Sequence, residues 1–221
     1  MGVIGFRPLA EADLPTLHRW LNDPGVIEWW EGDDVSLAGV VRDYWTDVRA
    51  EIEHWLVLDD GAPFGWIQCY PVTADPDECG PWLEFGVTED AAGIDYLVGE
   101  SASRGKGRGA AMIDRFVVDV VFGLHPGWTQ ACAAPFSSNE ASWRALAKAD
   151  FRHMATIDDP DGPCHLMVRT RSAQGASRSD AEEEPGVVDP IRAAVWPVAA
   201  NSPRTSDVAA GSTPNTSPPD V

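Results

Sequence analysis

The chain has 221 residues, 44% hydrophobic, with 10 tryptophans against 3 tyrosines and a net charge of −19 at pH 7. That length holds one ordinary domain plus further sequence. The charge repels nucleic acid and attracts a small cationic partner, and with no run of 18 apolar residues no membrane span is expected.

From residue 172 onward there are seven acids and three bases, so 28 acids and 13 bases belong to residues 1–171, a charge of −15. The acidity therefore sits mainly in the part able to fold. Four scattered cysteines (Cys69, Cys79, Cys132, Cys164) form no C-x-x-C pair, and the N-terminus has no basic stretch leading into an apolar core. Reduced thiols and a cytoplasmic location are the expectation.

In chain order, 3–8 reads as a strand and 11–22 as a helix with Leu14, Leu17, Trp20 and Leu21 on one face. Asn22-Asp23-Pro24-Gly25 stops it. Trp29 and Trp30 follow, flanked by Glu28, Glu31, Asp33 and Asp34. Aromatic faces and carboxylates both attract ammonium groups, so the two tryptophans are expected to wall a binding pocket. A helical period returns over 37–52. Strands over 54–58 and 63–70 flank the turn Asp59-Asp60-Gly61. A polar loop over 73–80 and a strand over 82–88 come next.

Residues 93–109 are the most informative. An apolar run at 96–98 suits a buried strand, and glycines alternate with basic residues before an amphipathic helix over 110–122. Strand, glycine turn and helix N-terminus together make an anion site, because backbone N–H groups crowd round a phosphate. Neither the nucleotide P-loop nor the dinucleotide fingerprint fits the spacing. The pattern R-x-x-G-x-G does, as Arg104-Gly105-Lys106-Gly107-Arg108-Gly109. Beyond it lie a strand over 129–134, a helix over 140–149 capped by Ser138-Asn139, and strands over 151–157 and 164–170 joined by a turn. Residues 172–221 are Ser-, Pro- and Ala-rich, acidic and aperiodic, and are expected to be a disordered tail after one domain over 1–171.

The glycine loop resembles the pyrophosphate loop of the GCN5-related N-acetyltransferase superfamily. Val26-Ile27-Glu28-Trp29-Trp30, Gly93-Ile94-Asp95, Gly105-Lys106-Gly107, Ser138-Asn139, Asp161-Gly162-Pro163 and Met167-Val168 resemble, in order and spacing, motifs of the aminoglycoside 6'-N-acetyltransferases. The similarity runs from about residue 6 to 171. It implies an α/β (α+β) fold with a mixed, mostly antiparallel sheet splayed between strands 4 and 5. It also implies acetyl transfer from acetyl-CoA to a primary amine, in a monomer or homodimer. Under the resemblance, Arg104, Gly105, Lys106, Gly107, Arg108, Gly109 and Asn139 hold the cosubstrate, and backbone around Leu97 and Val98 polarises the thioester. Asp95 is the catalytic residue, meeting the amine alongside Trp29, Trp30 and Glu84.

Three departures accompany the resemblance. The family's tyrosine that protonates the departing thiolate falls at Leu146, and two acids lining the antibiotic site fall at Ala134 and Gly80. Glu78, Glu84, Glu89 or Asp90 can compensate for the acids. Five histidines share no metal spacing, so no metal is expected. Two alternatives stay open: acylation of another amine, such as a siderophore lysine or a protein N-terminus, and a non-catalytic module binding acyl-CoA or drug.

Overall fold

Every strand expected between residues 3 and 70 forms, and each is longer or shorter than its sequence signal by only a residue or two. The structure, a computed structural model, describes residues 2–30 and 33–172, so the tail expected over 172–221 lies outside the described residues from 173 on. Strand β1 (Ile4–Pro8) leads through a helical turn into helix α1 (Leu14–Leu21), then the short α2 (Pro24–Ile27) and α3 (Leu37–Val41). Strands β2 (Glu53–Asp59) and β3 (Ala62–Pro71) form a hairpin, and α4 (Pro76–Cys79) precedes β4 (Ala91–Val98). Helix α5 (Arg108–Phe116) continues through a wider π turn into α6 (Phe122–Leu124). Then come β5 (Gln130–Ala133), α7 (Glu140–Lys148), β6 (Arg152–Asp159) and β7 (Gly162–Thr170).

The seven strands make one sheet, ordered β1-β2-β3-β4-β5-β7-β6. All pairs are antiparallel except β4 with β5. That parallel pairing covers only Ala91 to Gly93 against Gln130 to Cys132. Beyond Gly93 the two strands part, which leaves the edge of β4 from residue 94 to 98 open. The expected splay is present.

Strand alternation divides the core. Trp55, Val57, Ile67 and Cys69 face α5, whose Met112, Ile113 and Phe116 are fully enclosed, as are Val117, Val120 and Val121 beyond it. Leu56, Trp66 and Leu97 face the other way, against Leu17, Trp20 and Leu21 of α1. Each large side chain enclosed in this way contributes about 1.5–3 kcal/mol. Among the described residues no helix is long and apolar enough to cross a membrane.

Three expected elements differ, the first being the polar loop over 73–80, which holds the short helix α4. The helix over 37–52 is regular only to Val41, then widens into a π turn over Arg42–Thr46. The extra residue re-aims Tyr44 under the sheet, where its hydroxyl accepts from Trp30 Nε1 at 3.2 Å. The strand expected over 82–88 is instead a tight helical turn, Gly80–Phe85, with Pro81 in its first turn and Gly86 in the left-handed region at its end. Trp82 anchors it in a third apolar cluster with Tyr70, Val72 and Leu166. Burial of one tryptophan outweighs the weak strand propensity around it.

Candidate active site

The open edge of β4 borders a cleft of about 370 Å³. Its walls include Trp29 and Trp30, Tyr96 to Val98 along the strand, and Arg104, Gly105, Gly107 and Gly109 of the turn that follows it. Asn139, Ser142 and Ala145 of α7 and its cap close the far side. Most of the residues expected from sequence are thus brought together, but Asp95, Glu84, Lys106 and Arg108 are not among these walls.

Gly105 and Gly107 have φ of +70° and +77°, a region L side chains rarely enter, and a Cβ built on either meets nothing within 4 Å. The turn is therefore bare backbone facing open space. Gly107 begins α5, whose first N–H groups have no partner within the helix. A bare glycine turn at a helix N-terminus is the kind of cradle that attracts anions.

The basic residues between the glycines have separate fates. Arg104 donates from Nε to Val98 O (2.8 Å), from Nη2 to Gly99 O (2.9 Å) and from Nη1 to Asp23 Oδ1 (2.6 Å). Asp23 in turn caps α2. Arg104 thus clamps the end of β4 to the segment carrying Trp29 and Trp30. Arg108 turns to Asp59 of the β2–β3 hairpin and pairs with it. Lys106 is exposed and takes no part in the ion pairs of the described residues. Asn139 caps α7, its Oδ1 accepting from Ser142 N–H at 3.1 Å.

Backbone alternation identifies the free donor on β4. Gly99 N–H bonds to Phe64 O on β3, so Leu97 also faces β3, and the N–H groups of Val98 and Tyr96 point into the splay. Leu97 contributes its side chain and Val98 its amide.

Asp95 sits on the opposite side chain face from Tyr96 and directly across from Gln68, whose Nε2 donates to Asp95 Oδ2 at 2.6 Å. Burial pushes its carboxyl above the usual range, offset in part by hydrogen bonds from Gln68 and Tyr70. Tyr70 lies opposite Gly93, and any Cβ at 93 would stand 2.4 Å from its ring. The glycine of Gly93-Ile94-Asp95 is what lets the tyrosine lie close beside Asp95.

Further carboxylates gather there. Burial, together with Asp43 and Asp95, raises the Asp33 carboxyl. Glu78, exposed on α4, is pushed up to about 7, first by desolvation and then by Asp95, Asp75 and Asp159. Glu84 is exposed on its helical turn. Of the candidate compensating acids, Glu78 is the one near enough to Asp95 for that charge to raise its carboxyl. Ala134 packs against the third apolar cluster, and Leu146 is fully enclosed. Trp30, Trp66, Tyr44 and His54 form an aromatic floor, with His54 stacked 5.6 Å from Trp66. Burial holds the His54 pKa down to about 3, so the ring stays neutral.

Sequence reasoning passed over Gln68, Tyr70, Asp43, Tyr44, Tyr96 and Ser142. Alternation along 63–70 signals that Gln68 and Tyr70 share a face, but only the register against β4 puts Asp95 between them.

Proteins of known activity share this fold. A model of the acetyltransferase (GNAT) domain matches residues 10–159. An aminoglycoside N(6')-acetyltransferase type 1 of Klebsiella pneumoniae is 32% identical over 182 residues, covering 80% of this chain and 88% of the relative. The solved AAC(6')-Ib in complex with paromomycin and acetyl-CoA superposes with a TM-score of 0.68 at 32% identity, covering 80% of this chain and 99% of that one. The same protein with ribostamycin and coenzyme A gives the same TM-score, identity and coverage.

Proposed function

The chain belongs to the acetyltransferase (GNAT) family, and from that premise we propose that it transfers the acetyl group of acetyl-CoA directly to the 6'-amine of an aminoglycoside. One observation carries the reading. A single strand, β4, presents an acid-lined face at Asp95 and, three residues on, a free backbone N–H at the mouth of a bare glycine cradle.

In this reading the backbone from Gly105 to Gly109 and the N-terminus of α5 hold the pyrophosphate of acetyl-CoA, with Lys106 adding charge. Arg104 serves by keeping the turn and the tryptophan wall together. Val98 N–H points at the thioester oxygen, where negative charge develops as the carbonyl is attacked. Asp95 receives the substrate ammonium and orients it. A carboxylate is intrinsically a far weaker base than an amine, so Asp95 acts as an orienting acceptor, and the proton leaves through water. Asp33, Asp43 and Glu78 give further amino groups of a polycation their counter-charges, and Trp29, Trp30 and Tyr44 offer faces for ring and ammonium groups.

A cytoplasmic location suits an activity that consumes acetyl-CoA in a reducing compartment. The four cysteines support that assignment, being unpaired and buried.

The test is release of free thiol from acetyl-CoA with kanamycin, tobramycin, lysine or a peptide amine as acceptor. Release confined to the 6'-amino aminoglycosides is expected. Release with lysine or peptide alone would overturn the acceptor assignment, and silence with every amine despite CoA binding would point to a non-catalytic module.

A further inference from the structure

The helix tyrosine of the resembling acetyltransferases falls at Leu146, which is fully enclosed in the core, so α7 sends no hydroxyl into the cleft from that position. A phenol reaches the cleft from the other side. Tyr96 projects from β4 across the splay, and its hydroxyl lies 2.7 Å from Ser142 Oγ and 3.3 Å from Ser142 O. Both residues line the cleft, as do the glycine turn and the two tryptophans.

Building on the acetyl-transfer reading, we propose that the Tyr96 hydroxyl, oriented by Ser142, donates a hydrogen bond to the sulfur that departs from the thioester.

The topology supplies the argument. Adjacent residues of a strand point to opposite faces, so Asp95 and Tyr96 look away from each other. An amine received by Asp95 approaches the carbonyl from one face of β4, and the bond that breaks lies toward the other. Val98 N–H, on the open strand edge, takes the carbonyl oxygen. Three successive features of β4 thus meet the three groups around the reacting carbon.

The hydrogen-bond arrangement suits a donor held ready. Ser142 Oγ–H can donate to the Tyr96 oxygen, which leaves the phenol proton only the longer 3.3 Å contact to Ser142 O. That weak bond is easily exchanged for one to sulfur, and the serine's donation strengthens the phenol as a donor. Burial raises the Tyr96 pKa, which keeps the hydroxyl protonated at neutral pH. The step balances without proton transfer from tyrosine. The C–N bond forms, the C–S bond breaks with its electron pair staying on sulfur, and the proton lost by the amine goes through water to solvent or to the thiolate.

The experiment compares CoA with desulfo-CoA by calorimetry across pH 7–10, for the wild type, Tyr96→Phe and Ser142→Ala, with turnover measured in parallel. The wild type is expected to prefer CoA, increasingly as the thiol ionises. Tyr96→Phe is expected to weaken CoA by about tenfold at high pH, the worth of one charge-assisted hydrogen bond, while desulfo-CoA binds unchanged. It should lower kcat by about 10–100-fold with KM for acetyl-CoA preserved, and Ser142→Ala should move both in the same direction by less. Equal losses of CoA and desulfo-CoA would mean that Tyr96 only packs, and would overturn the proposal, as would unchanged kcat. Wild-type silence toward every amine would instead sink the acetyl-transfer reading, while the two-ligand comparison still decides the role of Tyr96.

Discussion

Gln68 Nε2 lies 2.6 Å from Asp95 Oδ2, and the two residues stand directly opposite each other in the β3–β4 register. The bond orients the carboxylate, to which Tyr70 also donates, and leaves lone pairs to accept from an incoming ammonium. It also favours the charged form of a group that burial drives the other way. Gln68→Leu should therefore raise the Asp95 pKa further and move the acid limb of kcat/KM for the acceptor to higher pH. Gln68→Glu should move it further still, by adding a like charge. An acid limb that stays in place in both variants counts against Asp95 as the group that must be ionised.

Asp95→Asn tests the same group by removing its charge. Turnover should fall by about 10²–10⁴-fold, with calorimetry showing CoA binding retained, because the cradle lies at the other end of the strand. Stability moves the opposite way. A carboxyl whose folded pKa is raised stabilises the fold fully below its unfolded pKa of about 4, and that contribution is lost as pH rises through the folded pKa. The asparagine variant should therefore melt at or above the wild-type temperature at pH 7, with the difference shrinking toward pH 4.

Glu78, pushed up to about 7, changes charge within the working range. The wild type should accordingly bind a polycationic acceptor more tightly as pH rises from 6 to 8. Glu78→Gln should raise KM for that acceptor and flatten this trend, with KM for acetyl-CoA unchanged. Glu84→Gln, on an exposed turn, is the matched control and should leave both constants alone. Steady-state kinetics at three pH values suffice.

Gly105 and Gly107 test the cradle. Their positive φ makes any L residue strained by about 1–2 kcal/mol, and an added Cβ enters the space the phosphates need. Gly107→Ala should weaken CoA by at least about tenfold, from loss of a well-aimed backbone donor, with the acceptor KM little affected. Equal CoA affinity in the variant would remove the cradle from the binding site.

Much of this site is legible in the chain alone, because its logic is local. Glycine spacing, the helix that follows it, the Asn139 cap and the Gly93-Ile94-Asp95 motif are each set by a few neighbouring residues. The parts that escape are long-range. Gln68 and Asp95 are 27 residues apart and Tyr96 and Ser142 are 46 apart, and nothing in either segment states the register that joins them. The turn at Gly80–Phe85 was hidden for a related reason, since burial of Trp82 is a tertiary fact. Charge misleads most. A basic residue in a glycine loop reads as a phosphate ligand until its partner is known, and Asp59 is 49 residues from Arg108.

The basic residues of the loop therefore separate by experiment. Lys106→Ala should weaken CoA, more so at low ionic strength, and leave the melting temperature unchanged, because its charge faces solvent. Arg104→Ala should cost stability, about 1–3 kcal/mol for hydrogen bonds lost from a charged donor, since it removes the bonds to Val98 O, Gly99 O and Asp23. Arg104→Lys should not restore it, because a single ammonium cannot span three acceptors in the plane that a guanidinium does. Loosening that clamp frees α2 from β4, so the acceptor KM should rise along with that for acetyl-CoA. Denaturant melts of the three variants, read beside CoA titrations at 20 and 200 mM salt, separate a scaffold arginine from a phosphate-binding lysine. A salt-sensitive CoA defect without loss of stability in Arg104→Ala would reverse the assignment.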